Sequence, residues 1–372
     1  MSQRVDVNPE LLSWAVTRAG FTLPEFAADF PMILDWMSGK KPTLIQLEKF
    51  SKKVHVPFGY LMLPAPPEEQ LPIPFFRTGK GTTEKVSVNV YDTILQLQQR
   101  QDWLRDYFKD NEFEPVGFVG KFRSSRNYAE IAQDIRTTLG LPEEWASGFR
   151  TWEEALTRLT EKIEDQRIVV VFNGVVGNNT TRPISVEECR GFVLVDDLAP
   201  FMFINNSDSK SAQLFTLVHE LAHIWVGQSA GFDFRRLQPA DNATEILCDK
   251  VAAEFLVPAA HFLKIWSPEG GLRAAARHFK VSEIVVARRA LDLGVFTKKQ
   301  FFDFYEEYIG REFKKRESGG GDFFRTTKVR LSLSFAAHVN RAVRSGQLLY
   351  RDAYKLTNLT GATYQTFVSK YF

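Results

Sequence analysis

"FTLVHELAHIW", residues 215–225, decides how this chain is read. As a helix it sets His219 and His223 four residues apart, on one face and about one turn from each other. Two imidazole nitrogens so placed suit two corners of a tetrahedral zinc site. Glu220, on the neighbouring strip, is close enough to serve as general base without being a ligand. The same letters also describe a helix buried only for packing, because Phe215, Leu217, Val218, Leu221, Ala222, Ile224 and Trp225 supply apolar faces.

A zinc site needs a third protein ligand and leaves a fourth position open. Downstream, "NATEILCDKVAAEFLVPAA" offers Glu245 and, one helical turn later, Asp249. On a shared helix face one carboxylate can bind the metal while the other orients a ligand histidine. A solvated helix surface is the competing reading, but the continuation "VAAEFLVP" is apolar enough to be core. Glu254 competes as third ligand, yet lies nine residues beyond Glu245 and faces the opposite side of the helix, so Glu245 is preferred. His55, His261, His278 and His338 are scattered and read as surface or packing residues.

Zinc and Glu220 together point to peptide hydrolysis. The metal polarises the carbonyl and acidifies water, and the carboxylate takes a proton and returns it to the leaving amine. The strand "FMFINN", just upstream of the motif, is expected to be an edge strand against which an extended substrate could add.

The 372 residues suggest two or three domains. With 44% hydrophobic and 25% charged residues the chain reads as soluble and globular, and a net charge of +2 gives no global basic field for nucleic acid. Two cysteines, Cys189 and Cys248, are too few for a disulfide framework and fit a reducing compartment. The N-terminus lacks a signal-peptide pattern, and apolar runs such as "IVVVF" are too short to cross a bilayer, so a cytoplasmic location is expected.

The expected fold class is α+β, mainly α. Residues 1–64 read as short helices of helix-turn-helix type, with starts at Thr22-Leu23-Pro24-Glu25 and Pro42-Thr43. Residues 65–124 read as a proline-rich connector, "PAPPEEQLPIPFF", and one long helix over roughly 86–109. The domain expected over 125–313 begins with two helices and a small sheet, "RIVVVFNGVV" and "GFVLVDDLAPFMFINN", and is helical after the motif. "KKRESGGGD" at 314–322 reads as a flexible boundary, and 322–372 as a short helical module.

In this order "GFVLVDDLAPFMFINN", "LFTLVHELAHI", "EILCDKVAAEFLVP" and "FKVSEIVVARRALDLG" resemble the ImmA/IrrE family of bacterial metallopeptidases in its longer form, with an Xre-type helix-turn-helix domain in front. The resemblance implies a zincin-like, gluzincin-type domain with zinc at His219, His223 and Glu245 and Glu220 catalytic; Asp249 is left to orient a ligand. It also implies action on a helix-turn-helix repressor protein in a stress response or mobile element. "LDWMSGKKPTLIQLEKFSKKVHVPFGYLML" is similar to the later helices of an Xre-type domain. "PFFRT" departs from the family where an acidic residue is expected before the phenylalanine.

Residues 1–64 carry seven basic against six acidic side chains, but Lys40, Lys41, Lys49, Lys52 and Lys53 cluster and are the candidate DNA contacts. The alternative reading is a DNA-binding transcriptional regulator or antitoxin-like protein, in which the peptidase fold senses or dimerises without proteolysis.

Overall fold

The computed structural model describes residues 4–69, 75–77, 86–233, 243–311 and 322–372, with backbone alone for 75–77 and 230–233. Most of the boundary expected at 314–322, and residues 70–74 of the proline-rich connector, lie outside the described residues. Two units divide the chain: residues 1–72 with 81–95, and residues 73–80 with 96–372.

The first unit is built from α1 (Pro9–Arg18), α2 (Leu23–Asp29), α3 (Met32–Met37) and α4 (Leu44–Val54), then a 3-10 turn at Phe58–Met62. Thr22 with Glu25, and Thr43 with Gln46, form capping boxes that satisfy the first amides of α2 and α4. Phe26, Phe30, Ile33, Trp36, Leu47 and Phe50 form the core. Its aromatic rings meet edge-on, as in Phe26 against Phe50 at 5.6 Å and 86°. The α3 helix has only six residues.

β1 (Phe75–Arg77) belongs to the second unit, as does α5 (Val88–Asp110) from residue 96 onward. Then come α6 (Tyr128–Leu139), α7 (Trp152–Glu164), β2 (Val169–Asn173) and the hairpin of β3 (Val175–Val176) with β4 (Asn179–Pro183). β5 (Gly191–Leu194), β6 (Phe201–Asn205), α8 (Lys210–Val226), β7 (Ala230–Asp233) and α9 (Ala243–Leu256) carry the centre of the unit. The chain continues through α10 (Ala259–Ile265), α11 (Gly271–Phe279), α12 (Glu283–Asp292), α13 (Lys298–Ile309), α14 (Phe323–Leu331), α15 (Leu333–Arg344), α16 (Tyr350–Thr357) and α17 (Gly361–Tyr371). The architecture is α+β and mainly helical, the class expected.

The main sheet has the order β1-β7-β5-β6-β2. β5 runs antiparallel to both its neighbours, and the other adjacent pairs are parallel. β2, β5 and β6 are buried at every residue, which is why they read as unbroken apolar runs rather than alternating ones. β6 pairs with β5 on one side and β2 on the other, so the edge-strand role expected for "FMFINN" does not hold. The reason is topological. β6 returns parallel to β2 after a connection through the hairpin and β5, and residue pattern within one strand carries no record of such a neighbour.

Helices cover the sheet. α8 crosses β5 and β6 and packs on α9 and α7. Gln101 of α5, itself buried, donates its amide to the carbonyls of Leu194 at 2.7 Å and Ala199 at 2.9 Å, tying the helix to the β5–β6 connection. At the far end α14 packs against β2, and Phe335 of α15 meets Phe201 edge-on at 5.7 Å. Among the described residues no helix is long and apolar enough to cross a membrane.

Candidate metal centre

α8 starts at Ser209, whose hydroxyl accepts from the Ala212 amide, and ends at Gly227, whose amide closes on the His223 carbonyl at 2.8 Å. Gly227 has φ +78, and a Cβ there would stand 2.8 Å from the Gly120 Cα, so both conformation and space require glycine. From Thr216 to Val226 every residue of the helix is buried. Trp225 stacks on Phe118 at 4.4 Å and 8° and donates its indole N–H to Asp134 at 2.8 Å. Packing this complete removes rotational freedom from the histidines.

α9 brings Glu245, in its first turn, against α8. Its other end is held by two buried arginines. Arg136 donates to the Glu254 carbonyl at 3.0 Å, and Arg289 donates to the Val257 carbonyl at 2.9 Å and pairs with the Glu254 carboxylate. These contacts satisfy carbonyls that α9 cannot pair within itself, and they place positive charge at its negative end. Glu254 is thereby committed to Arg289 and is no part of the centre.

His219 Nε2, His223 Nε2 and the two oxygens of the Glu245 carboxylate converge on one another. The separations are 3.2 Å between the two nitrogens, 3.1 Å from His219 to Glu245 Oε2 and 3.3 Å from His223 to Glu245 Oε1. All three side chains are buried, and among the described residues this is the set of donors close enough to share an ion. Zinc bonds to nitrogen and oxygen of about 2.0–2.1 Å make a tetrahedron with edges of about 3.3 Å, so each of these three separations is close to one such edge, with the carboxylate reaching the two histidines through different oxygens. Asp249 Oδ1 lies 3.0 Å from His219 Nδ1, the ring nitrogen turned away from the cluster. A carboxylate there keeps the proton on Nδ1 and leaves Nε2 as the donor.

The electrostatics also call for a cation. Burial disfavours charge on His219, but hydrogen bonds to Asp249 and Glu245 outweigh it and push the ring up to about 10. Glu245 is likewise opposed by burial, yet its two histidine partners hold it down to about 2. The cluster therefore stabilises positive charge at its centre. Burial pushes His223 down, which leaves its lone pair available to a metal.

Glu220 is completely buried, and among the described residues neither of its carboxylate oxygens has a hydrogen-bond partner. Burial pushes it up to about 8. An unpaired buried carboxyl is destabilising by about 1–3 kcal/mol or more, so its retention calls for a functional explanation. Gly191 of β5 makes its place: a Cβ on that residue would stand 3.1 Å from Glu220 Oε1, 3.0 Å from the Phe203 carbonyl oxygen and 2.6 Å from Thr216 Cγ2. The role of Gly191 escapes sequence reading, although a glycine opening an apolar strand is the usual mark of close approach.

Residues 164–291 match the metallopeptidase family model described as the IrrE N-terminal-like domain. The match supports the ImmA/IrrE family for this segment, and it spans the sheet from β2 through the motif helix to α12. An ImmA/IrrE-like segment of this kind suggests a metallopeptidase-type regulator and a metal, typically zinc. Residues 331–370 match a domain of unknown function, DUF8813. No curated protein matches the chain.

The candidate DNA contacts lie elsewhere, in the first unit. Lys40 pairs with Asp35 at 2.8 Å, Lys41 with Asp6 at 2.6 Å, Lys52 with Glu48 at 2.7 Å and Lys53 with Asp29 at 3.4 Å, so four of the five cations already face a carboxylate. Lys49 has no such pair among the described residues. Of the remaining histidines, His261 and His278 stack with their Nε2 atoms 2.7 Å apart, a contact between α10 and α11 away from the centre.

Proposed function

We propose that this chain is a zinc-dependent endopeptidase that acts on a regulatory protein, with a helix-turn-helix repressor as the substrate class. One observation carries the reading: His219, His223 and Glu245 gathered at zinc-ligand spacing, with Asp249 behind one of them, beside a buried Glu220 that no described residue hydrogen-bonds. Structural pairing among the described residues does not explain the orphaned carboxyl.

Bound zinc would acidify water and polarise the scissile carbonyl. The chain supplies the rest. Asp249 holds the His219 ring in one tautomer, and the closed packing of α8 fixes the ring orientations. Glu220 accepts the proton that water loses as its oxygen bonds to the carbonyl carbon. It then delivers that proton to the nitrogen released when the C–N bond breaks. A carboxyl held by burial toward neutral pH can do both.

The test is metal content and turnover in one pair of proteins. The parent should carry about one zinc per chain, and Glu220→Gln should keep the zinc while losing cleavage of a purified repressor by at least about 100-fold. A metal-free parent, or a Glu220→Gln variant that cleaves like the parent, overturns the reading and favours a regulator without proteolysis.

A further inference from the structure

The sheet edge beside Glu220 is already filled. Gly191 of β5 abuts Glu220, and the strand paired to the outer side of β5 is β7, whose Phe232 is the direct partner of Gly191. Outside β7 lies β1, with Phe76 in register with Phe232. The line from the catalytic carboxyl outward is thus Gly191, Phe232, Phe76.

Distance decides what this arrangement means. Neighbouring strands are about 4.8 Å apart, so a peptide added outside β1 would lie about 14 Å from β5. Glu220 sits against Gly191, and a general base works only within about 3 Å of the proton it takes, directly or through one water. An extended substrate therefore has to lie beside β5, along the line that β7 now occupies. β7 runs antiparallel to β5 through three register pairs, from Gly191–Phe232 to Val193–Ala230, and so uses the main-chain groups an incoming peptide would need.

Both covering strands are short, of three and four residues, and neither belongs to the β2-β6-β5 core of the sheet. β7 comes from the connection between the motif helix and Glu245, and β1 from the segment between the 3-10 turn and α5. We propose that β7, clamped by β1, is an intramolecular cover on a peptide-binding edge formed by β5, and that an extended polypeptide substrate binds by displacing it. The inference rests on the endopeptidase reading for the identity of its ligand.

The experiment reads binding separately from cleavage. In full-length, zinc-loaded protein carrying Glu220→Gln, the affinity for fluorescein-labelled casein, an unstructured chain, is measured with and without Phe75→Pro/Phe76→Pro. Successive amides along a strand point to opposite sides, so one of the two prolines must remove a donor facing β7. If the cover is closed about nine-tenths of the time, its release tightens apparent binding about tenfold. A second variant, Phe76→Cys/Phe232→Cys, locks the register pair by oxidation; Cys189 and Cys248 are both buried and do not compete.

Oxidation should weaken casein binding at least about tenfold, and reduction should restore it. Equal affinity with and without the prolines, or in the oxidised and reduced forms, overturns the cover. If the proline variant fails to fold, the disulfide pair decides alone. Should these shifts occur while the Glu220-containing parent cleaves no substrate, the endopeptidase reading falls and the cover stands as a gate on a peptide-binding edge.

Discussion

One methyl group added at Gly191 tests the packing that aims Glu220. In Gly191→Ala the new Cβ would meet Thr216 Cγ2 at 2.6 Å, against a comfortable carbon–carbon separation of about 3.5–4.0 Å. Neither neighbour is the free end of a flexible side chain: Thr216 is buried on α8, and the Phe203 oxygen, at 3.0 Å, is backbone. Relief therefore requires β5 and α8 to part by roughly 1 Å. Overpacking of this kind is destabilising by about 1–3 kcal/mol. In a domain of this size that lowers Tm by roughly 2–12 °C.

The chemical consequence should be larger. Glu220 sits on the same helix as Thr216 and faces the same methyl at 3.1 Å, so the displacement moves the proposed base itself. A misplacement of about 1 Å lowers turnover by about 100-fold. Zinc content should stay near one per chain, because the atoms nearest the new methyl belong to Thr216, Phe203 and Glu220 and not to His219, His223 or Glu245. The assays are thermal unfolding, metal analysis and kcat/KM on the same preparations. Thr216→Ser added to Gly191→Ala removes the closest clash and should recover much of the lost stability. A Gly191→Ala protein with parental Tm and turnover, or a Thr216→Ser rescue that recovers nothing, refutes the reasoning.

Three further outcomes follow from the same geometry. Asp249→Ala removes the carboxylate behind His219 and should weaken zinc about 10- to 100-fold in a chelator competition; unchanged affinity would deny Asp249 its orienting role. Arg289→Ala strands the buried Glu254 carboxylate and should destabilise the second unit by about 3–5 kcal/mol in denaturant unfolding, with zinc content unchanged; lost zinc would put Glu254 back among the ligands. In the metal-free protein the folded state keeps a proton on Glu220 up to about 8, while the unfolded chain loses it near the ordinary 4.5. The folded state binds more protons in that window, so stability falls as pH rises through it, and Glu220→Gln should show a shallower decline in Tm; an equal decline contradicts the buried, unpaired state of this carboxyl.

Much of the centre could be read from helical periodicity. His219 and His223 at four residues, and Glu245 and Asp249 at four residues, each define a helix face without reference to anything distant. The apolar surroundings of both pairs announced burial, and burial is what gives a histidine or carboxylate a fixed direction. Glu254 could be set aside for the same reason, since nine residues turn it to the other side of α9. What occupies that other side, Arg136 and Arg289, was not legible, because the two arginines come from α6 and α12 and meet α9 only in the folded unit.

The sheet shows the opposite case. Its strands announce themselves as apolar runs, but a run buried on both faces carries no alternation and so no sign of which strand lies beside it. "FMFINN" therefore looked like an edge and proved to be interior. Likewise "PFFRT" read as the end of a connector, although its residues 75–77 pair with β7. By itself the sequence determined the helical elements, the spacing of the candidate metal donors and the class of fold, because these depend on contacts within one or two turns. Only the tertiary structure decided strand order, the steric place that Gly191 makes for Glu220, and what lies along the edge of β5, because those are set by packing between segments far apart in the chain.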